Sequence, residues 1–254
     1  MYEEGSLWTE ASPAFMEWSC RSYSAATQVY PNPCLYVRVE QDVKGTVSFA
    51  IIAIHVDDLI LASRWDELLE LINEELMAKY KITDLGNLSW CLGIQVTQGR
   101  DAVLMSPSTY VTKLVERFGM QDCKPMKTPT AMNFKKELYS AGDLLCETDK
   151  QFYQSLFGSL MWAMIGTRPD ITFAIGQLSR FVSKPFRQHL IAAKTVIQYL
   201  KWTHDFHLRY SRGRPGESLE LYRYCDAFWG CHDDGMSLCG YLFKDNSGIV
   251  SWFS

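Results

Sequence analysis

The chain has 254 residues, of which 47% are hydrophobic and 21% charged, and its formal net charge is −4. That composition excludes an intrinsically disordered protein, and the negative balance weighs against a chain that clamps nucleic acid by bulk charge alone. Apolar runs such as Phe49 to Ile54 are far too short to span a bilayer, and Glu3 and Glu4 stand where a signal peptide would be basic. A cytoplasmic or nuclear protein is therefore expected, neither secreted nor partnered with a membrane.

Met1 to Thr27 has no clear periodicity. Cys34 to Val39 predicts a strand, and Glu40 to Thr46, with Gly45, a turn into the next one. Ala50 to Ile54 then reads as a buried strand, Asp57-Asp58 as a tight turn and Leu59 to Ala62 as the returning strand of a hairpin. Two adjacent carboxylates at such a tip repel each other unless a cation or solvent separates them, which points to a divalent metal. Aspartate is also a common turn residue, so a solvated turn is the competing reading.

Ser63 is placed to cap a helix from about Trp65 to Tyr80, with Leu68, Leu69, Ile72 and Leu76 on one face. Ser89 to Val96 predicts a strand. Ser106-Pro107 opens a helix with Tyr110, Val111, Leu114, Val115 and Phe118 as its apolar stripe and Gly119 as its stop. Met120 to Asp149, with two prolines and Gly142, reads as a loop-rich linker. Helices follow over Phe152 to Ile165, from Arg168-Pro169 onward, and over Arg187 to Trp202.

Between Lys184 and Arg214 there are seven basic residues (Lys184, Arg187, Lys194, Lys201, Arg209, Arg212, Arg214) against one acidic residue, Asp205. Arg187, Lys194 and Lys201 recur at intervals of seven and share one side of their helix, a pattern that suits either a phosphate backbone or a solvated face. The period returns to two near the end. Glu220 to Cys225 predicts a strand ending at Asp226, with further strands over Gly240 to Lys244 and Ile249 to Trp252 joined by a turn at Asn246-Ser247-Gly248. The eight cysteines include no Cys-x-x-Cys pair and are expected to be reduced and mostly buried; Cys225, Cys231, His232 and Cys239 lack the usual zinc spacing.

The order of these stretches resembles the C-terminal half of the reverse transcriptase of Ty1/copia-type retrotransposons. The resemblance is carried by NPCLYVRV, VDDLILAS, ITDLGNLSWCLGIQV, YVTKLVERFGMQDCKPMKTP, FYQSLFGSLMWAMIGTRPDITFAIGQLSRFVSKP, HLIAAKTVIQYLKWT, YCDAFWG and GYLFKDNSGIVSW, which together run from about Asn32 to Trp252. It implies an α+β chain: a partial polymerase palm, made of a hairpin sheet with a packing helix, then a helical connection and the truncated antiparallel strands of a ribonuclease H start. The divisions are 1–30 unassigned, 31–104 palm, 105–150 thumb-like helix and linker, 151–212 connection and 213–254 ribonuclease H.

By the same resemblance Asp57 and Asp58, with a third Asp from an upstream strand, would hold two Mg2+ (or Mn2+) ions. Asp57 would be the firmer ligand. Asp226 would be the first metal-binding carboxylate of ribonuclease H. Lys184, Arg187, Lys194 and Lys201 would touch an RNA/DNA primer-template hybrid. His55 stands where the family usually has Tyr, and Phe228 at a usually polar position. Asp42 mimics the upstream catalytic motif but lies in the loop before the hairpin, so it is rejected as the third ligand. With only 56 residues ahead of Asp57 and the chain stopping at Ser254, both sites are expected to be incomplete. Three functions follow as expectations: a polyprotein fragment inactive alone, a non-enzymatic module that binds nucleic acid or a polymerase chain, and a subunit completed by a separate upstream chain. Exposed sheet edges where partner strands belong predict poor solubility or association with another chain.

Overall fold

Along Val47–His55 every second residue turns inward, so that Ser48, Ala50 and Ile52 are buried while Val47, Phe49 and His55 face solvent. That alternation sets the first sheet. The computed structural model describes residues 26–28, 34–41, 45–140, 142–211, 220–228, 237–245 and 247–254, in two units divided after Asn87.

In the first unit, β1 (Ala26–Gln28), β2 (Leu35–Gln41), β3 (Val47–His55) and β4 (Asp58–Ser63) form an antiparallel sheet in the order β1-β2-β3-β4. Helix α1 (Asp66–Lys79) lies on the inward face, where Leu68, Ile72 and Leu76 pack with Tyr36, Ala50 and Ile52. Arg38 on β2 reinforces that contact: it is buried, and its Nη1–H donates to Glu75 of α1 at 2.6 Å while Nε–H donates to Glu40 at 2.9 Å. Ser63 does not cap α1 as expected. Trp65 is the N-cap, without a side-chain bond, and Ser63 Oγ instead donates to the Phe49 carbonyl and accepts from the Trp65 N–H.

The second unit opens with β5 (Trp90–Cys91) and β6 (Ile94–Gln98), where a single strand was expected. Leu92 and Gly93 both have positive φ, 51° and 75°, the signature of a type I′ hairpin turn, so the chain reverses there. β7 (Ala102–Ser106) pairs with β6 and, across a long stretch of sequence, with β8 (Leu208–Ser211). Helix α2 (Ser108–Arg117) carries the expected stripe and stops at Gly119, φ 64°. The expected linker contains a short helix, α3 (Phe134–Leu138), anchored by the buried Phe134 and Leu138.

Helices α4 (Glu147–Gly166), α5 (Thr172–Ser179, entered through a 3-10 turn at Pro169–Ile171) and α6 (Arg187–Trp202) close around one apolar core. Tyr153, Leu156, Leu160, Ile171, Leu178, Ala193, Val196, Ile197 and Leu200 form its centre. A third sheet, β11-β10-β9, is built from β9 (Tyr222–Phe228), β10 (Leu238–Lys244) and β11 (Ile249–Phe253). It is tied to the helices where Trp252 Nε1–H donates to the Met164 carbonyl at 3.0 Å, and to β8 where Tyr210 Oη–H donates to Ile249 O at 2.6 Å. No described helix is long and apolar enough to cross a membrane.

Candidate metal-binding hairpin and basic surface

The β3–β4 hairpin is closed by a two-residue turn. His55 pairs directly with Asp58, so the turn residues are Val56 and Asp57, one position earlier than the expected Asp57-Asp58 turn. Val56 has φ 53°, and Asp57 is not among the positive-φ residues; a positive φ at the first central position alone is the type II′ pattern, which normally takes glycine. A β-branched residue in that region costs about 1–3 kcal/mol, and such strain concentrates at functional sites. Sequence reasoning missed Val56. Its only signal was a valine in a two-residue tip that glycine or asparagine would ordinarily occupy.

The turn fixes where the two carboxylates go. Leu59 and Leu61 continue inward onto α1, so Asp58 and His55 share the opposite face of the sheet, and Asp57 sits at the tip itself. Asp57 is half-buried and Asp58 exposed, and among the described residues neither has a hydrogen-bond or ion-pair partner. Unpartnered carboxylate oxygens are the hard donors that Mg2+ and Mn2+ prefer, and Mg2+ is commonly held by one or two protein carboxylates with water and substrate phosphate completing the shell. The tip therefore fits such an ion as a source of two ligands. Among the described residues no group of three or more His, Cys, Asp or Glu side chains forms a metal cluster.

Asp226 lies in the second unit, and β9 runs through it to Phe228 instead of ending there. It is exposed and faces Gly240 across the β9–β10 pair. Asp42, Cys231, His232, Arg212 and Arg214 lie outside the described residues. Cys34, Cys146, Cys225 and Cys239 are exposed, which corrects the expectation of mostly buried thiols; their strands and loops leave those positions at the surface.

The four basic candidates differ in their surroundings. Lys184 and Arg187 are exposed before and at the start of α6. Lys194 places its ammonium 5.4 Å from the centre of the Phe152 ring. Lys201 donates to the carbonyls of Gln121 and Cys123 and so fastens the loop after α2 to α6.

Residues 30–132 match the family model described as reverse transcriptase (RNA-dependent DNA polymerase). The chain is 31% identical over 233 residues to the retrovirus-related Pol polyprotein from transposon TNT 1-94 of Nicotiana tabacum, covering 89% of this chain and 17% of that protein. The corresponding polyprotein from transposon RE1 of Arabidopsis thaliana is 32% identical over 82% of this chain and 14% of its own length. That from transposon RE2 of the same plant is 30% identical, with the same two shares. The chain belongs to the Ty1/copia-type reverse transcriptase family and corresponds to a part of a retrotransposon Pol polyprotein. No solved structure matches it.

Proposed function

We propose that the chain supplies the two-aspartate hairpin of an RNA-directed DNA polymerase that works on an RNA/DNA primer-template, and that this hairpin does not extend a primer without a further carboxylate. The observation that carries the reading is the tip itself, where a strained Val56 turn presents Asp57 and Asp58 without partners among the described residues. Asp57 and Asp58 bind the divalent ions and orient them, and Asp57 is the firmer ligand. A bound Mg2+ or Mn2+ pair supplies activation of the primer 3′-hydroxyl and neutralisation of the triphosphate during in-line displacement. His55, on the same face as Asp58, lies against the primer end.

In this reading β1–β4 with α1 is a palm element, α4–α6 a connection, and β9–β11 the start of a ribonuclease H fold in which Asp226 is one metal ligand. Lys184 and Arg187 touch the nucleic-acid backbone, while Lys194 and Lys201 shape the helix that presents them. A second reading, a non-enzymatic module that binds the hybrid or another polymerase chain, is favoured by the lack of a third carboxylate beside the pair among the described residues.

The test is primer extension on poly(rA)/oligo(dT) with Mg2+ or Mn2+, using the Asp57→Asn/Asp58→Asn double variant as control. The chain alone is expected to match the control while binding the hybrid. Incorporation above the control would overturn the requirement for a further carboxylate. Absence of both incorporation and hybrid binding would overturn the polymerase reading and the binding module together.

A further inference from the structure

The inward face of the β6–β7–β8 sheet is apolar: Val96, Met105 and Leu208 lie in register across the three strands, and Val96 and Leu208 are buried. The next row along, Thr97, Leu104 and Arg209, is likewise in register and must face the other way, because side chains alternate along each strand. These three line one open cleft of about 350 Å³, together with Arg100 and Asp101 from the β6–β7 turn and His207 from the approach to β8. Two arginines more than a hundred positions apart in sequence are thus brought to one surface by strand pairing.

Arg100 and Arg209 are both exposed, and among the described residues neither guanidinium has a hydrogen-bond or ion-pair partner. Their backbones are held. Gly99 N–H donates to Ala102 O at 2.8 Å and closes the turn under Arg100, and β8 is pinned between β7 and the turn at Gly248, which approaches the Arg209 carbonyl so closely that a Cβ there would meet it at 2.6 Å. His207 Nδ1–H donates to the Asp205 carbonyl at 3.0 Å. Among the described residues, Asp101 is the one acidic residue lining the cleft.

We propose that Arg100 and Arg209 form a phosphate-binding cleft that seats a passing nucleic-acid backbone on the outward face of this sheet, separate from the residues of α6. The inference rests on the nucleic-acid reading above. Guanidinium groups bind phosphate oxygens in bidentate geometry, and two of them, one on a closed turn and one on a paired strand, make such contacts with little backbone reorganisation. An open groove lined by the face of a sheet suits a chain that runs through it. The contacts read charge and position, not sequence.

The experiment measures binding of a fluorescein-labelled RNA/DNA hybrid to the full chain by anisotropy over a range of salt concentrations. The wild-type chain, an Arg100→Gln/Arg209→Gln double variant and Asp101→Asn are compared. The double variant is expected to bind more weakly, with a log affinity against log salt slope shallower by about 1.8, since each phosphate contact contributes about 0.9. Asp101→Asn is expected to bind more tightly, and it reads the cleft without removing either arginine. Wild-type binding with an unchanged slope in the double variant would overturn the cleft while leaving the polymerase reading intact. No wild-type binding would overturn both. Capture of a polyglutamate peptide that the double variant loses, with hybrid affinity unchanged, would assign the cleft to an acidic protein and overturn the proposal.

Discussion

Arg168 and Asp170, two residues apart at the junction between α4 and α5, form a bidentate ion pair in which Nε–H donates to Oδ1 at 2.9 Å and Nη2–H to Oδ2 at 2.6 Å. Arg168 is only 1% exposed, so this charge is held almost wholly inside the second unit. Its Nη1–H also donates to the Thr203 carbonyl at 3.0 Å, and Tyr199 Oη–H donates to Asp170 at 2.7 Å. The TRPDI stretch that carries the family resemblance is therefore a clamp between the end of α4 and the end of α6.

Replacing Asp170 with Asn strands the buried guanidinium. Removing one partner of such a pair costs about 3–5 kcal/mol, and the partial exposure of Asp170 puts this case at the low end. Urea unfolding should show the loss. Burial alone would push the Asp170 carboxyl up, but Arg168, through hydrogen bonds and charge, and then Tyr199, hold it below the ordinary value of 3.8. The pair's stability is present above that value and lost as pH falls through the lower folded one. A melting series from pH 5 downward in wild type and Asp170→Asn checks the sign.

His189 is fully buried, accepts the Phe186 N–H at Nδ1 and donates from Nε2 to the Leu138 carbonyl, which fixes a neutral ring. Burial lowers its pKa from 6.5, opposed by the Leu138 bond. The unfolded chain binds the extra proton between those two values, so His189 contributes stability in full above pH 6.5 that is lost as pH falls through the folded value. Urea midpoints at pH 7.5 and 5.5 should differ more in wild type than in His189→Gln.

Gly158 and Gly248 should respond oppositely to alanine. At Gly158, inside α4, a Cβ meets nothing within 4 Å, so Gly158→Ala should gain roughly 0.5–1 kcal/mol of helix propensity. At Gly248 a Cβ would lie 2.6 Å from the Arg209 carbonyl and 2.7 Å from the Tyr210 ring, and forcing it in should cost about 1–3 kcal/mol. Thermal unfolding of the two variants gives shifts of opposite sign.

Val56→Gly removes the side chain that the positive φ disfavours. Relief of about 1–2 kcal/mol is offset by the extra backbone freedom of glycine, roughly 0.5–1 kcal/mol, leaving a small net gain. Val56→Ile should show none. Denaturant midpoints compared between the two variants test whether the strain resides at this residue.

What could be read in advance depended on how local the determinants were. Helix α6 runs over the expected Arg187–Trp202, because Ala193, Ile197 and Leu200 repeat at the helical period and the core they enter lies on that one face. The β3–β4 hairpin was equally legible from its two apolar runs, whereas its turn position was not, since register is set by the His55–Asp58 pairing and by an unexpected φ at Val56. The Leu92 turn was hidden for the same reason. β7 and β8 went unseen because they are short and partly buried and are defined mainly by pairing with each other and with β6. Asp57 and Asp58 were visible as a pair from sequence, while the Arg100–Arg209 neighbourhood exists only once that long-range pairing is formed.

In the proposed function Asp57 and Asp58 act together as ligands of a divalent ion at the hairpin tip. Paramagnetic broadening of backbone amide resonances by substoichiometric Mn2+ tests it without requiring activity. The account predicts broadening centred on Val56 to Leu59 that disappears in the Asp57→Asn/Asp58→Asn double variant. Broadening that spares the tip, or that persists there in the double variant, would contradict it.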